Sequence, residues 1–81
     1  MQVLYFAWLR ERIGTAREEV ETQAATVTEL IEELRARGEA HQAAFDDLTA
    51  LRVAIDQKVA GFDAPIAKAR EIAFFPPMTG G

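Results

Sequence analysis

The chain contains no cysteine and no serine. The first absence excludes disulfides, thiolate nucleophiles and cysteine metal sites. The second removes any Ser-His-Asp constellation. The single histidine, His41, has no cysteine or second histidine with which to share a metal. It is therefore read as an ordinary surface residue. No glycine-rich phosphate loop is present. No apolar run approaches the roughly 20 residues of a membrane span. The N-terminal apolar stretch from Val3 to Leu9 has no basic region before it and no small-residue cleavage site after it. It does not read as a signal peptide, and a cytoplasmic location is the expectation. Basic residues are in the minority: nine Lys and Arg against 13 Asp and Glu give a net charge of -4. A nucleic-acid binder needs a concentrated basic face, which this balance does not supply. It suits a protein that docks on a more basic partner.

What is there suffices for one small domain. The chain has 81 residues, of which 49% are hydrophobic, enough to build a core. Residues 2–8 read as a strand with Val3, Tyr5 and Ala7 on one face and Leu4, Phe6 and Trp8 on the other. A strand apolar on both faces is covered twice, and in so small a chain one cover can be a partner. Leu9 to Ile13 reads as a short helix capped by Gly14. Residues 16–22 form a polar strand whose charges suit a sheet edge. Thr26-Val27-Thr28-Glu29 is a capping box. Val27, Leu30, Ile31 and Leu34 follow as one helical stripe, with Gly38 as the stop. Ala40, Ala43, Ala44 and Phe45 allow a second, short helix. Leu51, Val53 and Ile55 alternate as a strand. Asp56-Gln57 turns the chain into Lys58-Val59-Ala60, and Glu71 to Phe75 form the last strand. One amphipathic helix over a mixed sheet, with first and last strands parallel neighbours, is an α+β, β-grasp (ubiquitin-like) layout. A ferredoxin-like fold would need a second long helix.

The end of the chain stands apart. Pro76 and Pro77 cannot donate ladder hydrogen bonds, so the sheet should stop before them and a stiff, extended segment begin. Residues 1–75 are thus expected to form the domain and residues 76–81 an extended tail. From Pro76 to Gly81 that tail reaches roughly 20 Å, enough to enter a neighbour's active site. Gly80 and Gly81 carry no side chains to obstruct passage through a narrow channel. The paired acids Glu18-Glu19, Glu32-Glu33 and Asp46-Asp47 read as solvated. The one chemically distinctive group left is the terminal carboxylate of Gly81. Phe75 and Pro76, with Leu4 or Val3, either complete the core or form an apolar docking patch.

These residues also carry a resemblance. Val3-Leu4-Tyr5-Phe6-Ala7 followed by Arg10-Glu11 and Gly14 is similar to the opening of the small subunits of molybdopterin synthase, the MoaD group of ubiquitin-like sulfur carriers. Phe74-Phe75-Pro76-Pro77-Met78-Thr79-Gly80-Gly81 resembles that family's ending, F-F-P-P-V-T-G-G, with Met78 in place of valine. Val53-Ala54-Ile55-Asp56-Gln57 is similar to its A-V-N-Q strand. One departure is plain: Ala69-Arg70-Glu71 stands where the family has a Gly-Asp-Glu turn. Because Ala69 tolerates a positive φ poorly, a different turn is expected there.

The resemblance implies a cycle centred on Gly81. An E1-like (MoeB-type) enzyme uses ATP to adenylate its carboxylate, and a sulfur donor converts the product to a thiocarboxylate. Residues Pro76, Pro77, Met78, Thr79 and Gly80 insert into a large (MoaE-type) subunit, with Phe75 at the partner contact. Sulfur then passes to a cyclic pyranopterin precursor in a heterotetramer. No permanently bound cofactor and no metal are implied. The competing readings are a sulfur carrier for thiamine thiazole synthesis, a ubiquitin-like modifier joined to lysines through Gly81, and a non-catalytic interaction module.

Overall fold

Thr26 shows how directly local sequence sets this fold. Its hydroxyl oxygen accepts a hydrogen bond from the Glu29 amide at 3.3 Å, satisfying one orphan donor at the start of a helix. The Glu29 carboxylate reaches back, but to the Ala25 amide at 3.4 Å rather than to that of Thr26 itself. Between these caps and Arg35 runs the main helix, here α2 (Val27–Arg35), with Val27, Leu30, Ile31 and Leu34 all buried. The structure is a computed structural model and describes residues 1–77; Met78, Thr79, Gly80 and Gly81 lie outside the described residues.

The elements before α2 are β1 (Gln2–Tyr5), α1 (Trp8–Ile13) and β2 (Arg17–Glu19). After it come α3 (Glu39–Ala44), a 3-10 turn (Leu48–Ala50), β3 (Arg52–Ile55), β4 (Lys58–Ala60) and β5 (Glu71–Phe75). The sheet runs β2-β1-β5-β3-β4. β1 and β5 are parallel and pair Val3 with Ile72 and Tyr5 with Phe74; the other pairings are antiparallel. This is the β-grasp arrangement that the order of elements implies. β5, the last strand described, lies at the centre. It ends at Phe75, where the prolines withdraw their amides.

One sheet face packs under α2. Val3, Tyr5, Val53, Ile72 and Phe74 point into it and are 1% exposed or less. Phe74 sits edge-on to Phe45, with ring centroids 4.9 Å apart. The same arithmetic of alternation sends Leu4, Ala54, Ala73 and Phe75 to the opposite face.

Three local expectations are corrected. The first strand stops at Tyr5, not Trp8, because the chain turns at Ala7 and the Arg10 amide bonds back to the Ala7 carbonyl at 3.1 Å. Trp8 thereby opens α1, where Arg12 lies over its ring at 5.6 Å. A short apolar run reads alike as strand or first helical turn, so alternation alone could not separate them. Gly38 does not stop α2, which already ends at Arg35; it precedes α3 instead. Asp47, expected only to be solvated, also caps the 3-10 turn, its Oδ1 accepting from the Thr49 amide at 3.0 Å.

The β3–β4 turn is as expected. Asp56 and Gln57 both have positive φ, 48° and 73°, the pattern of a two-residue type I′ hairpin. Asp56 does more than turn. Its Oδ1 accepts from the amides of Arg70 and Glu71 at 3.0 and 2.9 Å, and its own amide donates to the Glu71 carbonyl at 2.9 Å. Ala69 is not among the non-glycine residues with positive φ, so the turn before β5 is made without a left-handed residue.

Candidate functional site

The open face of the sheet carries an apolar groove of about 770 Å³. Leu4 from β1, Ala73 and Phe75 from β5 and Ala54 from β3 form its floor. Their positions follow from the pairing register, which sets Leu4 beside Ala73 and Ala73 beside Ala54. Two alanines at the centre make a trough, and larger side chains rise around it. Phe6 stands at one end, 47% exposed, and Val59 on the edge strand β4 is 74% exposed. A contiguous apolar face left open on a small domain is a candidate binding surface. Of the pair Val3 and Leu4, only Leu4 belongs to it; Val3 is fully buried in the core.

The groove extends to the prolines that follow β5. Pro76 and Pro77 line it together with Phe6 and Phe75. The parallel pairing explains this: β1 and β5 run the same way, so Phe6, just past β1, arrives beside the end of β5. The Phe6 amide donates to the Phe74 carbonyl at 3.1 Å, extending the ladder by one bond. Of the residues expected to act, Phe75, Pro76 and Pro77 are therefore gathered at one end of the groove. Met78, Thr79, Gly80 and Gly81 lie outside the described residues.

A second polar locus sits at the rim of the covered face, and its members are too far apart in the chain to read as a unit. The Tyr5 hydroxyl donates to Glu18 Oε2 at 2.6 Å. His41 Nε2 lies 2.8 Å from the same oxygen, and a carboxylate only accepts, so that nitrogen carries the hydrogen. The Arg37 guanidinium lies 3.7 Å from Oε1. His41 is thus not an ordinary surface residue: its side chain is 13% exposed and edge-on to the Tyr5 ring. Nor is Glu18 simply solvated, at 18% exposure. Burial pushes the Glu18 carboxyl up, but the hydrogen bonds from Tyr5 and His41 and the charge of Arg37 outweigh it and hold it below the usual range. Burial first, and Glu18 second, drive the Tyr5 phenol far above its ordinary value. The cluster is internally satisfied and ties β1, β2 and α3 together. No group of three His, Cys, Asp or Glu side chains suited to a metal occurs among the described residues.

A β-grasp domain with an apolar face and a proline-led terminal segment defines a class, and sequence comparison agrees with it. The ThiS family model matches residues 3–81, and the chain belongs to that family. More particularly, it is 38% identical over 81 residues to the molybdopterin synthase sulfur carrier subunit of Escherichia coli (strain K12), covering 100% of this chain and 99% of that one. The protein of the same name from Haemophilus influenzae is 37% identical, with the same coverage. Among solved structures, SAMP1 from Haloferax volcanii superposes with a TM-score of 0.75 at 26% identity, covering 100% of this chain and 98% of that one. A putative molybdopterin converting factor, subunit 1, from Pyrococcus furiosus gives a TM-score of 0.75 at 27% identity over 94% of each chain.

Proposed function

We propose that this chain is the sulfur-carrier subunit of a cytoplasmic molybdopterin synthase. The observation that carries the reading is the junction of groove and tail: the central strand runs straight into Pro76 and Pro77, which line the apolar face. A partner seated on that face would meet the tail root at once. Full-length relatives that bear the sulfur-carrier name support the same reading.

The chemistry asks little of the domain itself. A carboxylate is a poor electrophile and needs a leaving group. An E1-like activating enzyme would let the Gly81 carboxylate attack the α-phosphate of ATP, giving an acyl adenylate and pyrophosphate. A sulfur donor then displaces AMP and leaves the terminal thiocarboxylate, an anionic sulfur nucleophile. The large subunit would grip the open face, admit residues 76–81 into its active site and present the pyranopterin precursor. Phe75 supplies an anchor at the root, Pro76 and Pro77 stiffness, and Gly80 and Gly81 a backbone thin enough for two different enzymes to enclose. The chain has no cysteine, so the terminus is its one place to hold sulfur covalently. ATP belongs to the activating enzyme, not to this chain.

The test is intact mass, before and after incubation with an E1-like enzyme, ATP and a sulfur donor. The expected gain equals one oxygen exchanged for sulfur. Deletion of Gly81 should abolish it while leaving thermal unfolding unchanged. A deletion variant that still supports product formation would overturn the assignment.

A further inference from the structure

Glu71 opens β5, the central strand, and alternation fixes which way it faces. Ile72 and Phe74 are fully buried in the core, so Glu71 falls in one row with Ala73 and Phe75 on the open face. It lines the apolar groove at the end away from Phe6 and the prolines, and it is the one charged residue on that lining among the described residues.

The backbone of Glu71 is committed and its carboxylate is not. Its amide donates to Asp56 Oδ1 at 2.9 Å, and its carbonyl accepts from the Asp56 amide, also at 2.9 Å. No Lys, Arg or His side chain among the described residues forms an ion pair with the Glu71 carboxylate. Arg70 shares a smaller adjoining hollow of about 390 Å³ with Asp56, Gln57 and Glu71 but does not pair with it. Two carboxylates against one guanidinium leave this end of the groove negative.

In the free domain Glu71 is only partly buried, and water solvates its charge. A partner lying on the groove would remove that water. A carboxylate sealed among apolar side chains is costly unless it is paired. Whatever covers this face must therefore bring the counterpart.

We infer that the large subunit sets a Lys or Arg side chain against Glu71. This rests on the docking reading above and deepens it by naming the chemistry the partner must present. Glu71 and Phe75 lie four residues apart on one strand, about 13 Å. The cation is thus expected about 13 Å from the surface that covers Phe75. Apolar contact around Phe75 is non-directional. A charge pair at the opposite end fixes the direction in which the face is laid down, so that the tail leads into the active site.

The experiment is Glu71→Gln in the full chain, which keeps the side chain's size and removes its charge. It is titrated against purified molybdopterin synthase large subunit at low and high salt, beside Phe75→Ala and Glu32→Gln. Glu32 lies on α2, behind the covered face, and is 69% exposed, so its substitution makes the same change in net charge away from the groove. The affinity of Glu71→Gln should fall about tenfold or more at low salt and depend less on salt than that of the unsubstituted protein. Glu32→Gln should bind within about twofold of the unsubstituted protein. The melting temperature of free Glu71→Gln should stay within about 4 °C. Undiminished binding by Glu71→Gln, with binding lost in Phe75→Ala, would overturn the inference and leave the docking face standing. An unchanged salt dependence would also overturn it, by making the partner group a neutral donor. So would a larger fall in melting temperature, which would make Glu71 a structural residue. If the unsubstituted protein does not bind the large subunit at all, the docking reading fails and this inference with it. The mass-shift assay reports sulfur loading independently of that failure.

Discussion

The two faces of the sheet are made by the same strands and answer to different demands. On the covered face Tyr5, Val53, Ile72 and Phe74 join the core with the buried stripe of α2 and Phe45 and are almost completely buried. On the open face their immediate neighbours, Leu4, Ala54, Ala73 and Phe75, leave a trough ringed by half-exposed aromatic and proline side chains. Phe74 and Phe75 are adjacent and chemically identical, yet one holds the domain together and the other is offered outward. A period of two residues is enough to separate folding from docking.

The sharpest way to break that comparison is to truncate the two phenylalanines in turn. Phe74→Ala should remove about 3–5 kcal/mol of stability, the usual effect of emptying a fully buried aromatic site. Phe75→Ala should remove about 1 kcal/mol, an ordinary value for a half-buried position, and, if the open face docks as proposed, should abolish binding to the large subunit. Urea unfolding and titration on both variants give the contrast. Equal losses of stability would mean that the open face is a second core.

Next in size is the polar cluster at the rim of the covered face. Glu18→Ala leaves the buried Tyr5 hydroxyl without an acceptor and should lower stability by about 1–3 kcal/mol near neutral pH. The pH dependence has a definite sign. The folded state holds the Glu18 carboxyl below its ordinary 4.5. Its contribution is therefore present above that value and disappears as pH falls through the lower, folded value. Unfolding curves of the two proteins should converge in acid and separate on return to neutrality. A gap that persists in acid would assign the effect to packing alone. The smallest stability effect belongs to Val59→Lys, within about 0.5 kcal/mol because that side chain is 74% exposed. If the open face docks as proposed, the same change should weaken the complex.

Much of this was legible in the residues. The stripe on α2, its Thr26 cap, the Asp56-Gln57 turn and the proline stop after Phe75 are local signals, and each fell where the sequence placed it. The parallel pairing of the first and last strands followed from counting elements. The Tyr5–Glu18–His41 cluster was not legible, because its members lie 13 and 23 residues apart and meet only once β1, β2 and α3 are packed. Ala7 was read as a strand residue because nothing about an alanine announces a positive φ. The groove was half legible: alternation put Leu4 and Phe75 on one face, but Val3 could be sent to the core only by the register. The departure at Ala69-Arg70 is absorbed by Asp56, whose carboxylate binds the backbone amides on the far side of the turn.

The position of β5 has a consequence for how the protein is made. β5 joins the β2-β1 pair to the β3-β4 pair, and its partner β1 precedes it by most of the described residues. Such long-range pairing closes late. A nascent or broken chain that stops before Glu71 lacks the middle of its sheet and cannot close its core. Truncation before Glu71 would leave two separate strand pairs, β2-β1 and β3-β4, with nothing to join them.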